Sequence, residues 1–165
     1  MALLSIVTFP DDLLRQQSKE VKDITDDDQR LIDDMIETMF YNKGVGLAAP
    51  QVGVLKNIIV VSPKANRKEV FVYINPVITK MKGEVVDHEG CLSVPCASGQ
   101  VVRGKKIWVE TMDREGEKVS FSVSDFHARI IQHETDHLHG KLFIDHLGFA
   151  ARKEAIEAAK KAKEL

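Results

Sequence analysis

Three histidines fall within seven residues in the segment QHETDHLHG, residues 132–140. His133 and His137 are four residues apart, so on an α-helix they project from the same side, one turn apart. His139 follows two residues after His137 and points in another direction. A catalytic metal usually takes three protein ligands and keeps one position open, so this spacing predicts two ligands from the helix and a third from elsewhere.

Glu134 completes the H-E-x-x-H pattern, in which a glutamate acts as general base beside two metal-binding histidines. It lies between Ile131 and Leu138 on one helical stripe, where a carboxylate is costly unless it has a partner such as water on a metal. The alternative is a pair of core histidines with hydrogen-bond partners and a surface glutamate. The remaining histidines are interpreted as ordinary surface or hydrogen-bonded residues: His88, His127, His139 and His146.

The residues alone leave the third ligand open. Downstream, a turn after the helix could bring Asp145 or His146 back towards it, and Glu154 is a further candidate. Upstream, Cys91 in the segment EGCLSVP, residues 89–95, offers a soft thiolate that could complete a Cys-His₂ set. A lone cysteine is more commonly a small buried apolar residue, and on chemistry alone the two interpretations of Cys91 are nearly balanced.

Helical periodicity and capping residues predict three helices. Ser124 is the expected N-cap of the helix that carries the histidines, and Gly140 is expected to close it. Thr25, followed by a run of aspartates, is expected to begin a helix of about four turns that ends near residues 43–44. An Ala-, Lys- and Glu-rich segment, residues 148–165, is expected to form a terminal helix.

Between the first two helices the composition changes to runs of β-branched and aromatic residues separated by Gly, Pro and Asn. The dipeptide Glu115-Gly116 is expected to form a hairpin turn. Strands with so little helix between them indicate antiparallel pairing, so the prediction is an α+β fold with antiparallel β-sheets packed around a central HExxH helix. The predicted strands are NIIVVS, VFVYINP, GEVVDHEG, VVRGKKIWVETMD and KVSFSVS.

Length and composition indicate one domain over residues 1–165 and limit the possible partners. The net charge of −2 does not indicate binding to DNA, and no stretch approaches the roughly 18 apolar residues of a membrane span. The apolar first ten residues lack a basic region and are a poor signal peptide. Two cysteines cannot make a disulfide framework, which favours a reducing cytoplasm, with an organellar protein lacking its transit peptide as the alternative.

The glycine-containing segment GVGLAAPQVG, residues 44–53, fits the dinucleotide-binding pattern G-x-G-x-x-A. Its context excludes that function, because a helix rather than a strand precedes it and Pro50 would interrupt a helix beginning there. We expect instead a loop whose small residues let an extended ligand backbone come close, with Gln51 as an amide donor beside it. The alternative is a tight connection without a ligand.

These three segments, GVGLAAPQVG, EGCLS and QHETDHLHG in that order, resemble peptide deformylase. The resemblance extends from the opening IVTFPDDLLRQQSKEV to GKLFIDHL near residue 147, and three motifs in order at suitable spacing are far more specific than any one of them. It implies an enzyme that removes the N-formyl group from the initiator methionine of nascent polypeptides and releases formate.

The resemblance also implies roles for individual residues. Cys91, His133 and His137 would bind one divalent metal ion, and Glu134 would act as general acid/base on a metal-activated water. The Gln51 side chain and the Leu92 backbone N–H would stabilise the oxyanion. Members of the family typically use Fe²⁺, with Ni²⁺, Co²⁺ or Zn²⁺ as substitutes, whereas the ligand set alone suggests zinc.

Substrate contacts are less specific in the sequence, and ordinary core packing is the alternative for all of them. Backbone near two pairs of residues could bond a peptide in strand fashion, and two side chains on the histidine helix could form a methionine pocket. These residues are Val45 and Gly46, Glu89 and Gly90, and Phe126 and Ile130. Asp136 and Arg103 match family positions that pair, so we expect an ion pair that braces the ligands.

Two further features follow from the comparison with that family. Many bacterial members carry a basic residue shortly after the CLS motif, but residues 96–102, CASGQVV, contain none, and Cys96 is expected to be a loop thiol rather than a ligand. The basic terminal helix could dock on the ribosome, or be a plain solvated helix. Two other functions remain open: a small zinc metallopeptidase that does not need Cys91, and a non-catalytic metal-stabilised binding protein.

Overall fold

The computed structural model describes residues 2–163 and confirms the α+β fold. The helices are α1 (Asp26–Tyr41), α2 (Asp125–Leu138) and α3 (Phe149–Lys163), with 3₁₀ turns at Asp12–Arg15, Ala49–Val52 and Phe143–His146. The strands are β1 (Gly46–Ala48), β2 (Ile58–Val61), β3 (Phe71–Cys91), β4 (Val94–Met112) and β5 (Lys118–Ser124). None of the helices in this range combines the length and the apolar character that crossing a membrane requires.

The strands form one antiparallel sheet in the order β1-β2-β3-β4-β5, rather than several sheets. Two segments that the sequence suggested as separate strands, at 70–76 and 83–90, belong to the single long strand β3. The proline at position 76 is accommodated because the pairing with β4 shifts register between Ile74 and Val77. The hairpin turn predicted at Glu115-Gly116 is present, with Gly116 at φ 86°.

The α2 helix packs against the sheet, and the residues at its two ends determine where it begins and stops. Its apolar side chains, Ile131 and Leu138 among them, join a buried cluster with β2 and β4. Ser124 is the N-cap residue as predicted, although its side chain makes no capping hydrogen bond. Gly140 closes the helix in a left-handed conformation with φ 73°, and the next N–H, of Lys141, donates to the Asp136 carbonyl at 2.9 Å.

The α1 helix begins at the predicted N-cap. It ends at Tyr41, and the left-handed residue that follows it comes one position before Gly44. Thr25 and Asp28 form a reciprocal capping box. At the other end Lys43, not Gly44, takes the left-handed conformation, with φ 58°. The Gly44 N–H then donates to the Met39 carbonyl at 2.9 Å, which satisfies a carbonyl at the helix end.

The segment 44–53, which we expected to be a loop, contains a strand and a 3₁₀ turn. Gly46–Ala48 pairs with β2, and because β1 is the first strand in the sheet order, it is an edge strand. The turn Ala49–Val52 follows directly and includes Gln51, whose side-chain oxygen accepts the Ala48 N–H at the end of β1. Pairing with β2 makes a strand here although Gly46 and Ala48 have little β-propensity of their own.

The α3 helix is present as predicted but is not simply a solvated helix. Ala155 and Ala159 are buried in a cluster with Leu14 and Phe143. Cys91 packs against the same cluster. The basic side chains of α3 are on its exposed side. The terminal helix therefore completes part of the core.

We predict that Gly140→Ala destabilises the fold more than Gly53→Ala. Both glycines have positive φ, so alanine costs about 1–2 kcal/mol of backbone strain at either site. A Cβ on Gly140 would also overlap the Arg15 carbonyl, whereas nothing lies within 4 Å of a Cβ on Gly53. Urea unfolding of the metal-free proteins measures both changes in the free energy of unfolding, and equal losses would contradict the prediction.

Candidate metal centre

Cys91, His133 and His137 come together from two elements. Among residues 2–163 they form the cluster of potential ligands whose binding atoms all lie within 4.8 Å of one another. Cys91 ends β3 at the tip of the β3–β4 hairpin, and its Sγ lies 3.4 Å from His137 Nε2. Tetrahedral bonds of about 2.0–2.3 Å place neighbouring ligand atoms roughly 3.3–3.8 Å apart, so this separation fits a divalent ion.

Glu89 fixes the orientation of His133. Its Oε1 lies 2.8 Å from His133 Nδ1, so Nδ1 donates the hydrogen bond and Nε2 keeps the lone pair needed to bind a metal. Burial alone would raise the pKa of Glu89, but the hydrogen bonds and charges of Arg103 and His133 hold it far below its ordinary value. Glu89 is therefore a carboxylate acceptor, and the sequence had suggested only its backbone for a role.

A chain of buried ion pairs surrounds Glu89. Arg103 donates to both Glu89 oxygens at 2.8 Å and to Asp136 Oδ2 at 2.6 Å, so the proposed Arg103–Asp136 contact is present. Arg129 donates to Glu89 Oε2 at 2.6 Å. His146 Nε2 lies 2.8 Å from Asp136 Oδ2 at the outer end of the chain. Both elements that carry metal ligands are linked through these side chains.

Gln51 is held with its amide nitrogen towards the ligands. Its Oε1 accepts the Ala48 N–H at 3.0 Å, and its Nε2 donates to Ser93 Oγ at 3.0 Å and lies 3.5 Å from Cys91 Sγ. Leu92 lies beside Cys91 in the hairpin turn and borders the same cavity. The donor positions assigned to Gln51 and Leu92 are thus both adjacent to the ligand cluster.

Glu134 is buried next to the ligands and lacks the partners that Glu89 has. Its Oε1 has no hydrogen-bond partner in the described part of the chain and lies 3.9 Å from His137 Nε2. Burial raises the pKa of Glu134 to about 7. A Cβ on Gly46 would lie 2.5 Å from Glu134 Oε2, so this glycine leaves room for the carboxylate rather than only for a ligand.

An open cavity of about 410 Å³ lies over the cluster, and every residue that we suggested for substrate contact borders it. Phe126 is half exposed, whereas Ile130 is buried. Lys43 and His88 lie on the exposed rim. These suggested substrate-contact residues are Val45, Gly46, Glu89, Gly90, Phe126 and Ile130.

The other candidate ligands have different partners. Asp145 forms an ion pair with Arg15 at 2.6 Å and also caps the Leu142 N–H. His139 lies 3.2 Å from the Gln17 side chain. The remaining groups lie apart from the cluster as well: His127 contacts the Tyr73 hydroxyl, His146 contacts Asp136, Cys96 is exposed, and Glu154 is exposed on α3.

Sequence reasoning missed the side chains of Glu89, Ser93 and Arg129. Ser93 was visible within the CLS motif, and its hydroxyl is the obvious partner for a nearby amide. Glu89 and Arg129 gave a weaker signal, a carboxylate two residues before Cys91 and a cation in an otherwise apolar stretch of α2. If buried, each of these charged side chains would need a partner.

A family profile described as polypeptide deformylase matches residues 3–153 of the chain. The peptide deformylase of Thermodesulfovibrio yellowstonii is 45% identical over 147 residues, 88% of this chain and 89% of that protein. Peptide deformylase 3 of Shewanella oneidensis is 42% identical over 162 residues, 98% of this chain and 99% of that protein.

Solved structures agree with this similarity. The crystal structure of a peptide deformylase from Legionella pneumophila has a TM-score of 0.96 at 40% identity, covering 99% of this chain and 96% of that one. The peptide deformylase from Ehrlichia chaffeensis in complex with actinonin has a TM-score of 0.94 at 40% identity and covers 100% of both chains.

We predict that Cys91→Ser loses its divalent metal and that Cys96→Ser keeps it. A serine hydroxyl is a far weaker ligand than a thiolate, whereas Cys96 is exposed and outside the ligand cluster. Metal content after dialysis, measured by atomic emission, distinguishes the two. Full metal retention in Cys91→Ser would instead favour a site completed by a downstream residue.

Proposed function

Because the chain belongs to the polypeptide deformylase family, we propose that it removes the formyl group from the initiator formyl-methionine of nascent polypeptides and releases formate. One observation carries this proposal. Cys91 and His133 of the Cys-His₂ cluster border an open cavity together with Glu134, a buried carboxylate whose Oε1 has no hydrogen-bond partner among residues 2–163. A structural metal site has no use for such a carboxylate, so the arrangement favours catalysis over metal-stabilised binding.

The residues present fit a bound metal, which Cys91, His133 and His137 would hold. A divalent ion there would act as a Lewis acid at the formyl group and lower the pKa of water in the site. Glu89 supports this arrangement, because it keeps the proton of His133 on Nδ1 and leaves Nε2 available.

Glu134 is the proposed general acid/base. It takes a proton from the attacking water and then delivers it to the leaving amine of the methionine. Burial raises the pKa of Glu134 above its ordinary value, and this favours a group that can both accept a proton from water and give it to an amine. No arginine among residues 2–163 forms an ion pair with Glu134, whereas two arginines bond to Glu89.

Gln51 and the Leu92 backbone N–H are the proposed donors to the oxyanion that develops on the formyl oxygen. Gln51 is suited to this role because its position is set before substrate arrives, by the Ala48 N–H on one side and Ser93 Oγ on the other. A donor fixed in advance needs no reorganisation as charge develops, and one such donor is typically worth about 10²–10³ in rate.

The peptide is proposed to bind as an extended strand. β1 is an edge strand, so the backbone near Val45 and Gly46 can pair with a substrate on the side away from β2. Glu89 and Gly90 border the cavity on the β3 side. The methionine side chain would lie against Phe126 and Ile130, and main-chain pairing would make recognition largely independent of the residues that follow.

Iron is the proposed native metal, and the cytoplasm, where nascent chains are made, is the proposed compartment. The Cys-His₂ set by itself would suit zinc, so this assignment rests on the family and not on the geometry. A thiolate ligand donates more charge than a carboxylate and tempers the acidity of the ion. Ni²⁺ and Co²⁺ are proposed as working substitutes.

We predict that Glu134→Ala abolishes formate release from a formyl-Met peptide, by about 10²–10⁴-fold, while the metal is retained. The reason is that Glu134 moves protons and is not a ligand. Both proteins are purified anaerobically, formate is measured enzymatically, and the same samples are analysed for metal, with iron expected in excess over zinc. No formate release from metal-loaded wild-type protein would overturn the proposed function.

Ribosome docking is proposed for the exposed side of α3. The support is its set of exposed lysines, Lys153, Lys160, Lys161 and Lys163, opposite the buried Ala155 and Ala159. Truncation is a poor test, because removing α3 would uncover the core cluster around Leu14 and Phe143. Charge reversal leaves the packed side of the helix intact.

We predict that a triple variant with glutamate in place of Lys160, Lys161 and Lys163 co-sediments less with ribosomes. Its activity on a free formyl-Met peptide should be unchanged. Electrostatic attraction to the ribosome is lost, while the cavity lies elsewhere. The matched control reverses three exposed lysines of the sheet region, Lys68, Lys82 and Lys118. Equal sedimentation of both triple variants would argue against docking through α3.

A further inference from the structure

The Glu89 carboxylate has a full set of hydrogen-bond donors. Its Oε1 accepts from Arg103 Nη2 and His133 Nδ1, both at 2.8 Å. Its Oε2 accepts from Arg103 Nε at 2.8 Å and from Arg129 Nη1 at 2.6 Å. An ionised carboxylate offers about four acceptor sites, so each of the four is filled and Arg129 fills the last.

Arg129 also connects α2 to both strands of the hairpin that carries Cys91. Its Nη1 donates to the Val101 carbonyl on β4 at 3.0 Å, and its Nη2 donates to the Val85 carbonyl on β3 at 2.7 Å. The Arg129 side chain is only 8% exposed. Arg129 lies one helical turn before His133 on α2, so these bonds join the helix and the hairpin next to the ligands.

Arg129 balances the charge on Glu89 in a way that Arg103 cannot do alone. Arg103 is shared, because its Nη1 is bound to Asp136 at 2.6 Å while its other nitrogens hold Glu89. Without Arg129, one guanidinium would face two carboxylates, and one lone pair of Glu89 would be open to water or to a rotated side chain. The carboxylate that orients His133 would then be both less neutralised and less fixed.

From these contacts we infer that Arg129 is a positioning residue of the metal centre, acting through Glu89 on His133. Its side chain borders the cavity, and the hydrogen bonds it donates go to Glu89 and to two backbone carbonyls rather than to a ligand side chain. Its role is to hold the Glu89 carboxylate in the one orientation that keeps His133 Nε2 directed at Cys91 and His137. The inference rests on the proposed metal centre and adds to it a residue from outside the H-E-x-x-H motif.

Arg129→Met tests the inference, because methionine keeps an apolar chain of similar length at the cavity wall and removes the charge and three hydrogen bonds. Co²⁺ is the probe, since its visible spectrum reports ligand geometry directly. We expect shifted ligand-field bands, Co²⁺ loss to EDTA faster by about 10–100-fold, and kcat lowered about tenfold with KM changed less than about twofold. Arg129→Lys, which keeps the charge but not the reach, should lie between methionine and wild type.

Gln132→Met is the matched control. Gln132 also ties α2 to β4, through two 2.9 Å hydrogen bonds with the backbone of Gly104, but its hydrogen bonds go to backbone atoms and not to Glu89. Its loss should lower the thermal midpoint and leave the Co²⁺ spectrum and dissociation rate as in wild type. Wild-type spectra and rates in Arg129→Met, or equal changes in Gln132→Met, would overturn the inference.

The Arg129→Lys variant and the wild-type protein provide two further comparisons. If Arg129→Met does not fold, Arg129→Lys is compared with wild type, and an unchanged Co²⁺ dissociation rate overturns the inference. The proposed function is tested separately on the wild-type protein. The thiolate-to-Co²⁺ charge-transfer band depends on Cys91 and formate release depends on Glu134, so neither result depends on the role of Arg129.

Discussion

The hydrogen bond between Glu89 and His133 joins the two halves of the metal centre. Glu89 lies two residues before Cys91 on β3, and His133 lies on α2, so one contact of 2.8 Å relates the thiolate to the imidazoles. A buried carboxylate costs several kcal/mol unless its lone pairs are filled. The two arginines that fill them therefore determine how the sheet, the helix and the ligands are arranged.

Two glutamates in one cavity have opposite properties because their surroundings differ. Glu89 is surrounded by guanidinium groups, remains ionised and serves as a fixed acceptor. Glu134 is equally buried, no arginine in the described part of the chain forms an ion pair with it, and burial raises its pKa to about 7. Environments that push the pKa values of neighbouring carboxyl groups apart are a common way to assign one to structure and the other to proton transfer.

The sequence was sufficient where the relevant physics is local. The spacing of His133 and His137 and the helix caps involve residues within a turn of one another, so α2 could be predicted closely. Cys91 required the family resemblance, because its own neighbourhood left other ligands open. Glu89 and Arg129 could not be paired in advance, since their contact spans 40 residues of chain and exists only once the sheet and helix have packed. The strand β1 was missed for the same reason.

The burial of Ala155 and Ala159 has a consequence for how the enzyme is made. The cluster they complete includes Leu14 and Phe143, and Cys91 packs on it, so residues far apart in the chain support one side of the metal-binding thiolate. α3 leaves the ribosome after α1, α2 and the whole sheet. Folding during synthesis can form the sheet with α1 and α2 early, but the centre gains the support of this cluster only after α3 has been translated.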